Sequence, residues 1–249
     1  DRMIKQYKIS VPKSTLNDIY KRVREFPWND AQNMSGWEYG TNLNYLKSIS
    51  KYWITKYNWK KFENKINSLK NYRTKVEDIN LHFIFEKSKN PNSRPLLLLH
   101  GWPGSITEFL DIIPRLAHPE KFGGKIEDGF DIIVPSLPGF GFSSQIKKAL
   151  GPRKIGKMLN KFMVKNLGYK NYFVQGGDWG ATIAGWIGLD SSKNCKGIHI
   201  NCLPLRHPKG TKNIKEKKWE KKFNFDQIMQ EGYRTQQATK PQTLSYAMI

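Results

Sequence analysis

Cysteine is scarce in this 249-residue chain: only Cys195 and Cys202 occur. They flank an apolar run that reads as one strand and would stand near its opposite ends, so a disulfide between them is not expected and a reducing, cytoplasmic compartment suits them. Long hydrophobic runs are missing too. No stretch approaches the length of a membrane span and residues 1–10 lack the apolar core of a signal peptide, which argues against a stable membrane anchor in this segment. Acidic residues are few, 21 against 42 basic, giving a formal net charge of +21. Such an excess can serve nucleic acid or an anionic surface. Here the lysines are scattered, Lys far outnumbers Arg, and Asn is abundant. The one dense run, Lys209 to Lys222 with Ile214, Trp219 and Phe223 among and beside it, reads as a solvated face or an insert, and no nucleic-acid partner is expected. No internal repeat or Pro/Ser-rich linker interrupts the chain, and its length and 38% hydrophobic content suffice for one large core with an appendage.

What is present centres on Gly176-Gly177-Asp178-Trp179-Gly180, directly after the apolar run Tyr172-Phe173-Val174. Small residues on both sides of one reactive side chain are what a sharp strand-to-helix turn needs, because larger ones would collide as the nucleophile is pushed forward. This is a nucleophile elbow with a carboxylate at its tip. An aspartate that attacks forms an ester, which narrows the chemistry to opening a strained ring or displacing a leaving group at saturated carbon. The alternative is a glycine-rich turn whose aspartate merely caps a helix.

Other motifs precede it in order. Leu96-Leu97-Leu98-Leu99 suits a strand buried on both faces of a parallel sheet, and it runs into His100-Gly101-Trp102-Pro103-Gly104-Ser105. In acyl-transfer sites of this shape the loop supplies one oxyanion-hole N–H and the residue after the nucleophile the other, here Trp102 and Trp179. His100, Gly101 and Pro103 would line the pocket. Phe130 to Pro135 reads as another buried strand, followed by Leu137-Pro138-Gly139-Phe140-Gly141-Phe142-Ser143-Ser144. Residues 72–76 and 79–85 form a hairpin pattern around Glu77-Asp78 that would open the sheet. Helical spacing covers much of residues 12–71, and helices are expected at about 105–116, 153–167 and 180–189, with a strand at 196–201.

Together these motifs resemble the α/β-hydrolase superfamily and, within it, epoxide hydrolases of the microsomal and juvenile-hormone branch. H-G-W-P-G-S, P-G-F-G-F-S and G-G-D-W-G follow in that order, and Gly36-Trp37-Glu38-Tyr39-Gly40, Tyr52-Trp53 and Asn58-Trp59-Lys60 look like the N-terminal extension peculiar to that branch. The resemblance covers nearly the whole chain. It implies an α/β fold, a mostly parallel sheet with helices on both faces, preceded by a helical extension with the first strands (residues 1–90), a core at 91–203 and the beginning of a helical lid at 204–249. It implies Asp178 as nucleophile toward a small hydrophobic epoxide, with neither cofactor nor metal. Gly232-Tyr233 followed by Gln237 and Lys240-Pro241 is similar to the lid segment that carries one of two tyrosines, which makes Tyr233 the proton donor to the epoxide oxygen. The other reading of Tyr233 is a residue packed between lid and core.

The second half of such a reaction, hydrolysis of the ester, needs a base. The superfamily order is nucleophile, acid, histidine, so the base should follow the last strands. His82 and His199 fall in strand patterns, His118 in a helix-to-loop stretch, His100 in the strand-end turn and His207 before the lid; none is placed for it. The chain is therefore expected to be a fragment of a longer enzyme, without the C-terminal strands, the second tyrosine, the acid and the histidine. Two alternatives stand beside the epoxide hydrolase: a haloalkane dehalogenase, which also uses an elbow aspartate followed by tryptophan, and a ligand-binding pseudoenzyme that keeps the pocket without the base.

Overall fold

The computed structural model of the chain describes residues 3–28, 36–37, 40–202 and 218. Two compact units are present, one made of residues 1–11 and 58–205, the other including residues 12–57. The N-terminal ninety residues thus contribute to both.

In the smaller unit, α1 (Lys13–Arg24) and α2 (Leu43–Thr55) meet. The Asn42 side chain caps α2 by accepting the Tyr45 amide at 3.0 Å, satisfying one of the donors a helix start leaves over.

The larger unit is built on a seven-stranded sheet in the order β1-β2-β3-β5-β4-β6-β7. Its strands are β1 (Lys5–Gln6), β2 (Asn71–Val76), β3 (Ile79–Glu86), β4 (Arg94–Leu99), β5 (Phe130–Pro135), β6 (Tyr172–Gly176) and β7 (Cys195–Ile200). The three pairings from β1 through β2 and β3 to β5 are antiparallel, and β5, β4, β6 and β7 run parallel. The sheet opens one strand before the expected hairpin, because β1 pairs with β2 outside it. Glu77 turns that hairpin at φ 54°.

The leucine run shows how the core is divided. Leu97 and Leu99 face one layer, with Phe83, Ile133 and Val174 from neighbouring strands; Leu98 faces the other, with Ile84, Ile132 and Val134. That period-two division with both sides buried is the signature of a central parallel strand. The first layer is covered by α5 (Pro152–Lys161), the π-helical turn Phe162–Asn166 that continues it, and α6 (Trp179–Asp190). The second is covered by α3 (Trp59–Asn67), the 3₁₀ turn Ile106–Phe109 and α4 (Ile113–Ala117), through Ile66, Ile106, Leu110 and Ile113. Residue 63 on α3 is a fully buried glutamate. It accepts the Val11 amide at 2.7 Å and the Trp59 indole N–H at 3.3 Å, and pairs with Lys60, which ties the N-terminal segment to the helix.

Two helices differ from expectation. The stretch 105–116 splits into the 3₁₀ turn and α4, because Pro114 has no N–H to continue a helix and is suited to beginning one. The stretch 153–167 is α-helical only to Lys161, after which the extra residue per turn of the π segment carries Phe162 and Met163 into the core. Cys195 is buried and Cys202 exposed, and both are free thiols. Among the described residues no helix is long and apolar enough to cross a membrane.

The strand order reverses direction around β4: the chain moves to β5 on one side and then crosses to β6 on the other. In open α/β sheets the crevice beyond the carboxyl ends of the strands at such a switch point is where ligands bind. The loop after β4 and the turn after β6 meet there.

Candidate active site

The turn after β6 is built for closeness. A Cβ on Gly176 would lie 2.2 Å from the Gly180 carbonyl oxygen, and one on Gly180 would lie 2.2 Å from that of Leu99. Only glycine lets α6 start this near β4. Asp178, at the apex, has φ 50° and ψ −125°, outside the regions a non-glycine residue readily occupies, at a cost of about 1–3 kcal/mol. It stands at the N-cap position of α6 and yet its side chain makes no capping hydrogen bond. The helix-capping reading of this aspartate therefore does not describe the geometry.

The carboxylate is aimed at the neighbouring loop instead. The Trp102 backbone N–H donates to Asp178 Oδ1 at 2.8 Å. Gly101 makes this approach possible, since a Cβ there would stand 2.4 Å from both Cβ and Oδ1 of Asp178. Trp179 is the first residue of α6, so its amide precedes the intrahelical ladder, and the positive end of the helix faces the carboxylate. The Trp102–Pro103 peptide is cis.

His100 holds two loops together. Its Nδ1 donates to the Gly101 carbonyl at 3.0 Å and its Nε2 accepts the Leu137 amide at 3.0 Å. A backbone N–H can only donate, so Nε2 carries no proton and the imidazole is neutral; burial also pushes its pKa below the usual range, against the Gly101 hydrogen bond. The ring thereby joins the loop after β4 to the loop after β5. That second loop turns at Gly139 (φ 83°) and Gly141 (φ 50°), and Ser143 and Ser144 return it to β3, where their hydroxyls accept the amides of His82 and Asn80 at 3.0 and 3.1 Å.

The other described histidines stand elsewhere. His82 is wholly buried between Ser136 and Asn71, with its pKa pushed down to about 3 by burial and then by the Arg73 charge. His118 pairs with Glu86 at 3.1 Å, and His199 lies on β7. Tyr233 and His207 lie outside the described residues. Pro103 belongs to the same loop as Trp102, whose side chain is about half exposed, as is that of Trp179. Among the described residues no group of three or more His, Cys, Asp or Glu side chains is placed to hold a metal ion.

One residue beside the nucleophile escaped the motif reading. Glu108, on the 3₁₀ turn, brings its carboxyl back over the loop, where a Cβ on Gly104 would lie 1.6 Å from Glu108 Oε1. The residue as a whole is exposed, but desolvation of its carboxyl raises its pKa, the backbone at Ser105 and Gly101 opposes this and the Asp178 charge adds to it. The only sequence signal was its three-residue spacing from Ser105, easily taken for a capping box.

A central parallel sheet, a strained carboxylate on a glycine elbow and a backbone N–H from the loop two strands of chain earlier define an α/β-hydrolase-type protein. Comparison with known proteins agrees: residues 94–247 match the alpha/beta hydrolase fold family and residues 4–109 match the family described as epoxide hydrolase N terminus. Epoxide hydrolase 1 of Oryctolagus cuniculus is 33% identical over 271 aligned residues, covering 100% of this chain and 59% of the relative. The crystal structure of juvenile hormone epoxide hydrolase from Bombyx mori superposes with a TM-score of 0.71 at 34% identity, covering 81% of this chain and 53% of that one. Aspergillus niger epoxide hydrolase gives a TM-score of 0.70 at 26% identity, over 99% of this chain and 66% of that one. The chain belongs to the epoxide hydrolase family of α/β-hydrolase-fold proteins, and it spans less than two thirds of the length of these relatives.

Proposed function

We propose that the protein carrying this sequence hydrolyses epoxides through an ester on Asp178. The observation that carries the reading is the Trp102 N–H on Oδ1 at 2.8 Å, joined to a strained backbone that presents rather than caps. With Oδ1 held by the loop, Oδ2 is the oxygen left to attack a ring carbon. The carbon–oxygen bond of the ring breaks, its electron pair goes to the ring oxygen, and a phenol donates the proton that makes it a hydroxyl. Tyr233 is the candidate donor on the lid segment. Water then adds to the ester carbonyl, Oδ1 takes the developing negative charge against the amides of Trp102 and Trp179, and collapse releases a vicinal diol and restores the carboxylate.

The two halves place different demands on the protein. Attack needs only the elbow, the loop and a proton donor. Hydrolysis needs a base for the water, and His100 cannot serve because both ring nitrogens are engaged with backbone. We take the small-molecule substrate to be a hydrophobic epoxide; the relatives' names support the epoxide. A dehalogenase reading has no comparable support, since no alkoxide would arise for a lid tyrosine to protonate.

The test is mass spectrometry of the full-length protein quenched shortly after mixing with a substituted styrene oxide. A mass increase equal to one epoxide on the peptide holding Asp178 is expected, and it should vanish in Asp178→Ala. Ester found on another residue, or persisting in that variant, refutes the assignment.

A further inference from the structure

The loop that carries Trp102 lies between two carboxylates. On one side Gly101 faces Asp178, and on the other Gly104 faces Glu108, each so closely that a single methyl group would not fit. Neither glycine is needed for a left-handed backbone, since neither is among the glycines at positive φ. Gly101 is therefore a glycine for space, and at Gly104 the space is taken by the end of the Glu108 side chain. The turn that bears Glu108 is itself fixed: Ile106 and Leu110, on either side of it, are sunk in the core layer beneath the sheet. Ser105 caps the turn by accepting the Thr107 amide at 3.3 Å.

We propose that Glu108 is a positioning residue for the oxyanion loop: its carboxyl, seated on Gly104 within two residues of Trp102, holds the Trp102 N–H on Asp178. Without this contact the loop keeps its anchors at His100 and Ile106 but loses the support between them. Glu108 acts through the loop and is not asked to touch the epoxide.

This inference rests on the reading of Asp178 as nucleophile, and two measurements on the full-length protein separate them. Single-turnover ester formation is followed against styrene oxide concentration in wild type, Glu108→Ala, Glu108→Gln and Gly104→Ala. Glu108→Ala should lower the limiting rate about 10-fold or more with the half-saturating concentration changed by less than about 2-fold, since a misplaced group costs rate rather than affinity. Glu108→Gln keeps one acceptor oxygen and should recover part of the rate. Gly104→Ala displaces the carboxylate without removing it, and should add little when combined with Glu108→Ala. The Trp102 amide resonance, independent of turnover, should shift and exchange faster in both single variants. Wild-type limiting rates in Glu108→Ala, or an unmoved Trp102 resonance, overturn the proposal. If wild type forms no ester, the nucleophile reading fails and the Trp102 resonance alone decides Glu108.

Discussion

Adding one methyl group at Gly101 tests the site where its tolerances are smallest. The Cβ of Gly101→Ala would stand 2.4 Å from the Asp178 Cβ, where carbon atoms ordinarily approach no nearer than about 3.5 Å. Loop and elbow must separate by about 1 Å to relieve this. The Asp178 Cβ is one bond from the backbone, so side-chain rotation cannot absorb the change. The Trp102 N–H to Oδ1 distance, now 2.8 Å, would then fall outside the range of about 2.7–3.2 Å that a useful hydrogen bond occupies. Removal of one oxyanion donor costs about 10²–10³ in rate, or about 2.7–4 kcal/mol of transition-state stabilisation. Ester hydrolysis, where the oxyanion forms, should suffer that full loss, and ester formation about 10² from misplacement of the nucleophile. Rapid-quench measurement of both steps in the full-length enzyme, with thermal melting as a control for folding, gives the answer. A Gly101→Ala protein that forms and hydrolyses ester within about 3-fold of wild type would show that the loop does not need its present approach.

Asp178→Gly should abolish ester formation and yet stabilise the fold. Relief of about 1–3 kcal/mol of backbone strain outweighs the entropy cost of glycine, about 0.5–1 kcal/mol, and melting should rise by about 2–4 °C per kcal/mol gained; a lower melting temperature contradicts the strain argument. His82 predicts acid sensitivity. Its folded pKa of about 3 lies below the ordinary 6.5, so between these values the unfolded chain takes up a proton that the folded one refuses, and stability falls with falling pH at about 1.4 kcal/mol per unit. From pH 6.5 to pH 5 this residue alone should remove about 2 kcal/mol, read by urea unfolding, and a His82→Gln protein with the same pH slope would refute it. Phe162→Ala empties a fully buried site that meets Phe83 edge-on at 4.9 Å; a loss of about 3–5 kcal/mol is expected by the same unfolding assay, and a loss below about 1 kcal/mol would mean that the π-helical turn does not anchor this layer.

The parts legible in the sequence are those in which one residue type answers one local demand. The four leucines, the glycines around Asp178 and the hairpin at Glu77-Asp78 each fix a strand or turn by chain chemistry alone, and β3 to β7 stand where that chemistry puts them. Pairing across long separations was not legible. β1 is two residues of ordinary composition, recognisable only once β2 offers an edge. The helix expected at 105–116 is divided because Pro114 has no N–H to carry an α-helix through it, which apolar spacing does not reveal. In the site, Asp178 and Trp102 could be paired through a shared motif, whereas Glu108 could not. Its importance lies in Gly104 having no side chain, which becomes visible only when the two are seen in contact.

The central claim is that an oxygen of Asp178, and not of water, opens the epoxide. Full-length enzyme in excess over an epoxide, mixed in ¹⁸O-labelled water, allows one turnover. The account predicts a first-turnover diol free of label at the newly added oxygen, with one ¹⁸O atom left in the peptide containing Asp178. Label in the diol from that first turnover, with an unlabelled Asp178, would mean that water attacks the ring directly and would contradict it.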